Sequence, residues 1–209
     1  MLISYEVTLS GKSKTTLSSN DQKMKKKHLC LLVLSLAFSR GYCDEKANQT
    51  PPIQGVEMNY TLEHQKKKFF IGLELRTNNE ECSATMPPHK EKFFKENIPL
   101  KIPNKINGDI LALYTDYEGD YTKPYSWILG CEVSSLDEVP EGLVGKVIPE
   151  SNYAVFTTQG GFPQGLIAAW QAVWKSHLHR CYTSDFEVYR SGFDPQKNPQ
   201  VKVYISIKK

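Results

Sequence analysis

The run Asp185-Phe186-Glu187-Val188-Tyr189 sets two carboxylates and a phenol at two-residue spacing. In an extended strand, alternation puts Asp185, Glu187 and Tyr189 on one face and Phe186 and Val188 on the other. A carboxylate among rings is costly to bury unless tyrosine hydroxyls donate to it or a cation pairs with it. Two readings therefore stand for Glu187: a solvent-facing strand glutamate, or the polar centre of an aromatic cleft. Glu132, in Gly130-Cys131-Glu132-Val133, poses the same choice. The rings for such a cleft are present. Tyr114, Tyr117, Tyr121, Tyr125, Trp127, Tyr153, Trp170, Trp174, Tyr182, Tyr189 and Tyr204 all fall on or beside predicted strands and the second predicted helix. A cleft of this kind suits a flat or cationic organic molecule held by stacking and cation–π attraction.

Other chemistries lack their residues. The five cysteines never fall at C-x-x-C spacing, and no nucleophile elbow, phosphate-cradling glycine loop or metal-binding histidine pair is present. His177 and His179 are two apart, hence on different faces of a helix. No metal, no cofactor and no catalytic residue is predicted. Formal charge is +3 over 209 residues, but residues 1–43 hold seven Lys/Arg against two Asp/Glu. The remaining 19 basic and 21 acidic residues make a faintly acidic body, without the basic stripe that displaces counterions from nucleic acid.

Stretches of alternating aromatic and β-branched residues predict strands at 56–63, 68–76, 109–116, 125–134, 152–158, 183–190 and 200–208. Two helices interrupt them. The first is expected over roughly 85–97, where Pro87-Pro88 precede a short amphipathic stretch with Phe93, Phe94 and Ile98. The second follows Gly160-Gly161 and Pro163, with Leu166, Trp170, Val173, Trp174 and His177 at helical spacing. Segments 98–108 and 135–149 are Pro/Gly-punctuated loops. The order divides into two similar strand-helix-strand-strand halves, which predicts an α+β fold: a pseudo-symmetric antiparallel sheet with both helices on one face.

Ahead of this body, Met24 is followed by Lys25-Lys26-Lys27, the ten-residue apolar run Leu29–Phe38, and a small-residue cleavage region at Ser39–Cys43. This is the layout of a secretory signal peptide over 24–43, too short to span a bilayer. Residues 1–23 then read as upstream of the true start and 44–55 as a flexible lead-in to a domain at 56–209. The expected location is the periplasm or the medium, with the cytoplasm as the alternative, and no membrane segment is expected after leader cleavage. There Cys82, Cys131 and Cys181 meet oxidising conditions, in which an odd count leaves at least one thiol over.

Asn104–Asn107, Tyr114–Asp120, Gly130–Val133, Ile148-Pro149, Tyr153–Phe156 and Asp185–Tyr189, in that succession, resemble the GyrI-like small-molecule-binding family, the effector-binding module found alone or behind AraC-type DNA-binding domains. The likeness spans residues 56–208 and implies a duplicated β-α-β-β fold with a ligand groove between the halves. It also implies that the glutamate of the F-E-x-Y strand, here Glu187, faces the ligand beside Tyr189, with Trp170 and Tyr204 on the groove walls. With Tyr114 and Trp127 from the ring set, these six are the predicted ligand-binding residues. One departure is Met86-Pro87-Pro88-His89-Lys90, where relatives carry Ile-Pro and a bulky aromatic.

The expected function is an exported stand-alone domain binding a small amphipathic or cationic organic molecule, with Glu187 as counter-charge. One alternative is a hydrolase of reactive ring compounds working through Glu187 and Glu132, which needs a carboxylate of raised pKa in a dry pocket. Another is a module that binds a protein partner. Neither the ligand nor any protein partner is identified by the sequence.

Overall fold

The computed structural model describes residues 59–208. The expected leader, the residues before it, the whole lead-in and residues 56–58 of the expected domain lie outside this range. Eight strands form one antiparallel sheet: β1 Tyr60–Gln65, β2 Lys68–Thr77, β3 Ile110–Thr115, β4 Tyr125–Val133, β5 Val144–Ile148, β6 Ser151–Thr157, β7 Ser184–Tyr189 and β8 Val201–Ile207. The helices are α1 Cys82–Lys95, the single turn α2 Ile98–Lys101, and α3 Gln164–Lys175. The sheet order is β1-β6-β8-β7-β3-β4-β2-β5.

Exchanging the numbers 1 for 5, 2 for 6, 3 for 7 and 4 for 8 reverses this order onto itself. The chain is thus duplicated, β1-β2-α1-β3-β4 followed by β5-β6-α3-β7-β8. The α+β duplication expected from the pattern is present, with one addition. Each half opens with an edge strand that it gives to the other half: β1 pairs with β6, and β5 with β2. Only two residues separate β1 from β2, and two separate β5 from β6. The two ends of the sheet are therefore tied together by continuous chain, and the sheet must curl.

β5 falls within 135–149, which the sequence presents as a loop. Five residues carrying Gly145 and Lys146, between Gly142 and Pro149, give too short an alternation to read. The start of α1 also differs from expectation. It lies at Cys82, so Pro87 and Pro88 sit inside the helix instead of preceding it. Proline lacks the N–H that would bond back one turn, which costs helical hydrogen bonds. Contacts to β2 hold the turn in place: Thr85 Oγ1 lies 2.8 Å from Thr77 Oγ1, and His89 Nε2 lies 2.9 Å from the Leu73 carbonyl. At the other helix, α3 ends at Lys175, so His177 is not part of it.

Alternation sorts the core into two layers. Ile71, Leu73, Ala112, Trp127, Leu129, Val203 and Ile205 face α1 and α3. Phe70, Leu111, Leu113, Ile128, Tyr153, Phe186 and Tyr204 make a second cluster on the opposite face. Cys82 is disulfide-bonded, whereas Cys131 and Cys181 are free, so these three do not pair among themselves. Among the described residues no helix is long and apolar enough to cross a membrane.

Gly72 and Gly130 are direct partners across β2 and β4. A Cβ on Gly130 would run into the Ile71 carbonyl oxygen and the Gly72 Cα. Gly130→Ala should therefore part these strands and lower stability by about 1–3 kcal/mol, read as a shifted urea midpoint. An unchanged midpoint would show that the sheet absorbs the methyl group freely.

Candidate functional site

The two halves meet where β3 runs beside β7, between the helices. Ala112 is the direct partner of Glu187 at this junction. One half offers a methyl group where the other offers a carboxylate, which leaves space for the longer side chain. Two residues beyond each stand Tyr114 and Tyr189, one tyrosine from each half flanking the pair. Both reach the same carboxylate. The Tyr114 hydroxyl donates to Glu187 Oε1 at 3.0 Å and the Tyr189 hydroxyl to Oε2 at 2.6 Å. From α3, the Trp170 indole N–H donates to Oε1 at 2.7 Å.

Glu187 is only 1 % exposed. Burial raises its carboxyl above the ordinary value, while the bonds from Tyr189, Trp170 and Tyr114 and the field of Lys90 pull it back. The same burial, added to the Glu187 charge, raises the Tyr114 and Tyr189 phenols well above theirs. Both hydroxyls therefore keep their protons and remain donors.

Lys90 is the feature that the sequence reading missed. It is 6 % exposed and shares the buried stripe of α1 with Cys82, Met86 and Phe93. Burial lowers its pKa to about 8, against the pull of Glu187. Its spacing was the available signal. Lys90 follows Met86 by four and precedes Phe93 by three, so any helix burying those two buries the lysine between them. The segment Met86–Lys90, noted as a departure, thus brings an ammonium to the cavity wall.

Beside this cage lies a cavity of about 200 Å³. Ile110, Ala112, Trp127 and Leu129 give it an apolar floor, and α1 adds Lys90 and Phe94. Tyr189 and the turn after β7, with Arg190 and Phe193, close the remaining side. The Phe193 ring meets Tyr189 edge-on at 5.1 Å and Phe162 at 5.3 Å.

Of the six predicted ligand residues, Tyr189 and Trp127 line this cavity. Glu187, Tyr114 and Trp170 form the hydrogen-bonded cage behind it. Tyr204 stands elsewhere: it lies on the opposite face, stacked on Phe186 with ring centroids 4.6 Å apart. Glu132 is also apart from Glu187. It sits with the residues pointing away from the helices and is ion-paired with Lys68 at 3.1 Å. The two carboxylates of the hydrolase alternative therefore do not share a groove. Asp185 has its own buried network, accepting from Tyr117 at 3.1 Å, Arg180 at 2.6 Å and the Ser206 N–H at 2.7 Å. Among the described residues no cluster of His, Cys, Asp and Glu is arranged to hold a metal ion.

A family model described as Cass2, integron-associated effector binding protein, matches residues 61–207. YobU of Bacillus subtilis, described as a transcriptional regulator, is 30% identical over 158 residues, which is 71% of this chain and 97% of that protein. The solved integron cassette protein Cass2 from the Vibrio cholerae mobile metagenome is 27% identical, with a TM-score of 0.56 over 72% of this chain and 96% of its own. SAV2435, solved bound to tetraphenylphosphonium, shares the fold at 14% identity, with a TM-score of 0.62 over 72% of this chain and 94% of its own. The chain belongs to the Cass2 family of integron-associated effector binding proteins, a GyrI-like fold family.

Proposed function

We propose that residues 59–208 act as an effector-binding domain that holds one small amphipathic organic molecule in the cavity between α1 and the β3–β7 junction. The observation that carries this reading is a fully hydrogen-bonded buried glutamate set directly behind an apolar, ring-lined cavity at the seam of the duplication. Ligand sites combine apolar walls with a few fixed polar groups in this way. The apolar body would lie on Ile110, Leu129, Trp127 and Phe193, and the polar end toward Lys90 and Tyr189. That SAV2435 takes up an aryl-rich ligand supports a ring-bearing body as the class of molecule.

The leader-like sequence at 24–43 supports export of this domain. The faintly acidic body supports a small molecule over nucleic acid as partner.

Ile110 lies at the cavity wall and is not fully buried. Ile110→Trp should fill the cavity and abolish quenching of tryptophan fluorescence by naphthalene-based ligands, with the melting temperature shifted by only a few degrees. Undiminished binding in a folded Ile110→Trp protein would place the ligand elsewhere.

A further inference from the structure

Cys82, the first residue of α1, is fully buried and disulfide-bonded, whereas Cys131 and Cys181 are free thiols. The chain has five cysteines, so the partner of Cys82 is Cys30 or Cys43. The leader-like sequence separates these two. Cys30 stands second in the apolar run Leu29–Phe38, ahead of the cleavage region at Ser39–Cys43, and departs with the leader. Cys43 stays with the domain when the cut follows Gly41. Fifteen residues lie between Cys43 and Asn59. Extended, such a stretch spans about 50 Å, more than the width of a domain of this size, so chain length does not bar Cys43 from Cys82.

The start of α1 has little else to hold it. Its N-cap residue, Glu81, makes no side-chain cap bond, and no acidic residue stands in the first turn. Pro87 and Pro88 lack the two N–H groups that would bond back to Ser83 and Ala84. The same helix carries Lys90 and Phe94 to the cavity wall, so whatever fixes its first turn also fixes that wall.

We infer that Cys82 is bonded to Cys43, so that the leader is cut after Gly41 and the new N-terminus is stapled to the start of α1. This rests on the export proposed above. Each thiol gives up one proton and one electron as the S–S bond forms. An oxidant of the protein-disulfide class takes up both electrons and both protons and becomes two thiols. Closing residues 43–82 into a loop restricts the unfolded chain and so stabilises the folded one.

The test expresses the full chain in a bacterium, recovers the exported protein, blocks its thiols with iodoacetamide in urea and digests it with trypsin without reduction. Mass spectrometry should find Tyr42–Lys46 joined to Thr77–Lys90, with Cys131 and Cys181 alkylated, and dithiothreitol should part the two peptides. Cys43→Ser should leave Cys82 open to alkylation and lower the melting temperature by about 5–10 °C. Cys82 alkylated in the exported wild type, or joined to any other cysteine, would overturn the pairing. An exported chain that begins at Asp44 has lost Cys43, which would overturn the pairing and leave export standing. The Cys43–Cys82 bond in an uncleaved chain would keep the pairing and overturn export, and an uncleaved chain with Cys82 alkylated would overturn both. A Cys43→Ser protein as stable as the wild type would overturn the fastening of α1.

Discussion

Glu187→Ala should lower stability by about 3–5 kcal/mol, because it strands three donors and a buried cation at once. Tyr114, Tyr189 and Trp170 all aim their protons at this carboxylate, and Lys90 has it as its counter-charge. Tyr114 and Trp170 are buried and Tyr189 is half-buried at the cavity wall, so water does not reach the first two donors without opening the seam between the halves. Glu187→Gln should cost less. It keeps one acceptor oxygen, but turns an amide N–H₂ toward one of the donors. Urea unfolding followed by fluorescence measures both variants. A loss below about 1 kcal/mol for the alanine variant would mean that these donors find other partners.

The second large effect concerns alkaline stability. Lys90 titrates at about 8 in the folded protein and near 10.5 when exposed. Between these values the unfolded chain holds a proton that the folded chain has released, so stability rises with pH through that window. A shift of this size corresponds to about 3 kcal/mol. Glu187 runs with the opposite sign at acid pH. Its raised carboxyl gives stability that is fully present below the ordinary carboxylate range and is lost as pH climbs through the raised value. Cys131 and the buried tyrosines also titrate above their ordinary values and work against Lys90 in alkali. The difference between wild type and Lys90→Met, followed as melting temperature from pH 7.5 to 10, isolates the lysine. The wild type should gain on the variant as pH rises. Parallel curves would show that Lys90 is solvated.

How far the sequence could be read depended on whether the deciding contact lies within one strand. Asp185–Tyr189 gave the Glu187–Tyr189 face correctly, because parity along a single strand needs no partner. Tyr204 was misplaced because its parity relative to Glu187 is set by register between strands. Tyr204 pairs with Phe186, and Val203 with Glu187, and a one-residue slip would have exchanged them. The duplication was legible from element order, but the exchange of β1 and β5 between halves was not. β5 is too short to show, and pairing across the sheet leaves no local trace. Lys90 was missed because a helix scanned for apolar spacing skips the polar residue on its buried stripe. Tyr114 comes from the ring set and Trp170 from the family resemblance, and only the tertiary fold shows that both donate to one carboxylate.

The central claim is that the cavity between α1 and the β3–β7 junction holds the effector. A crystal structure of the protein soaked with 2-naphthoate tests it most directly. The naphthalene ring is expected between Ile110, Trp127 and Phe193. A ring bound on the opposite face of the sheet beside Tyr204, with the cavity empty, would contradict it.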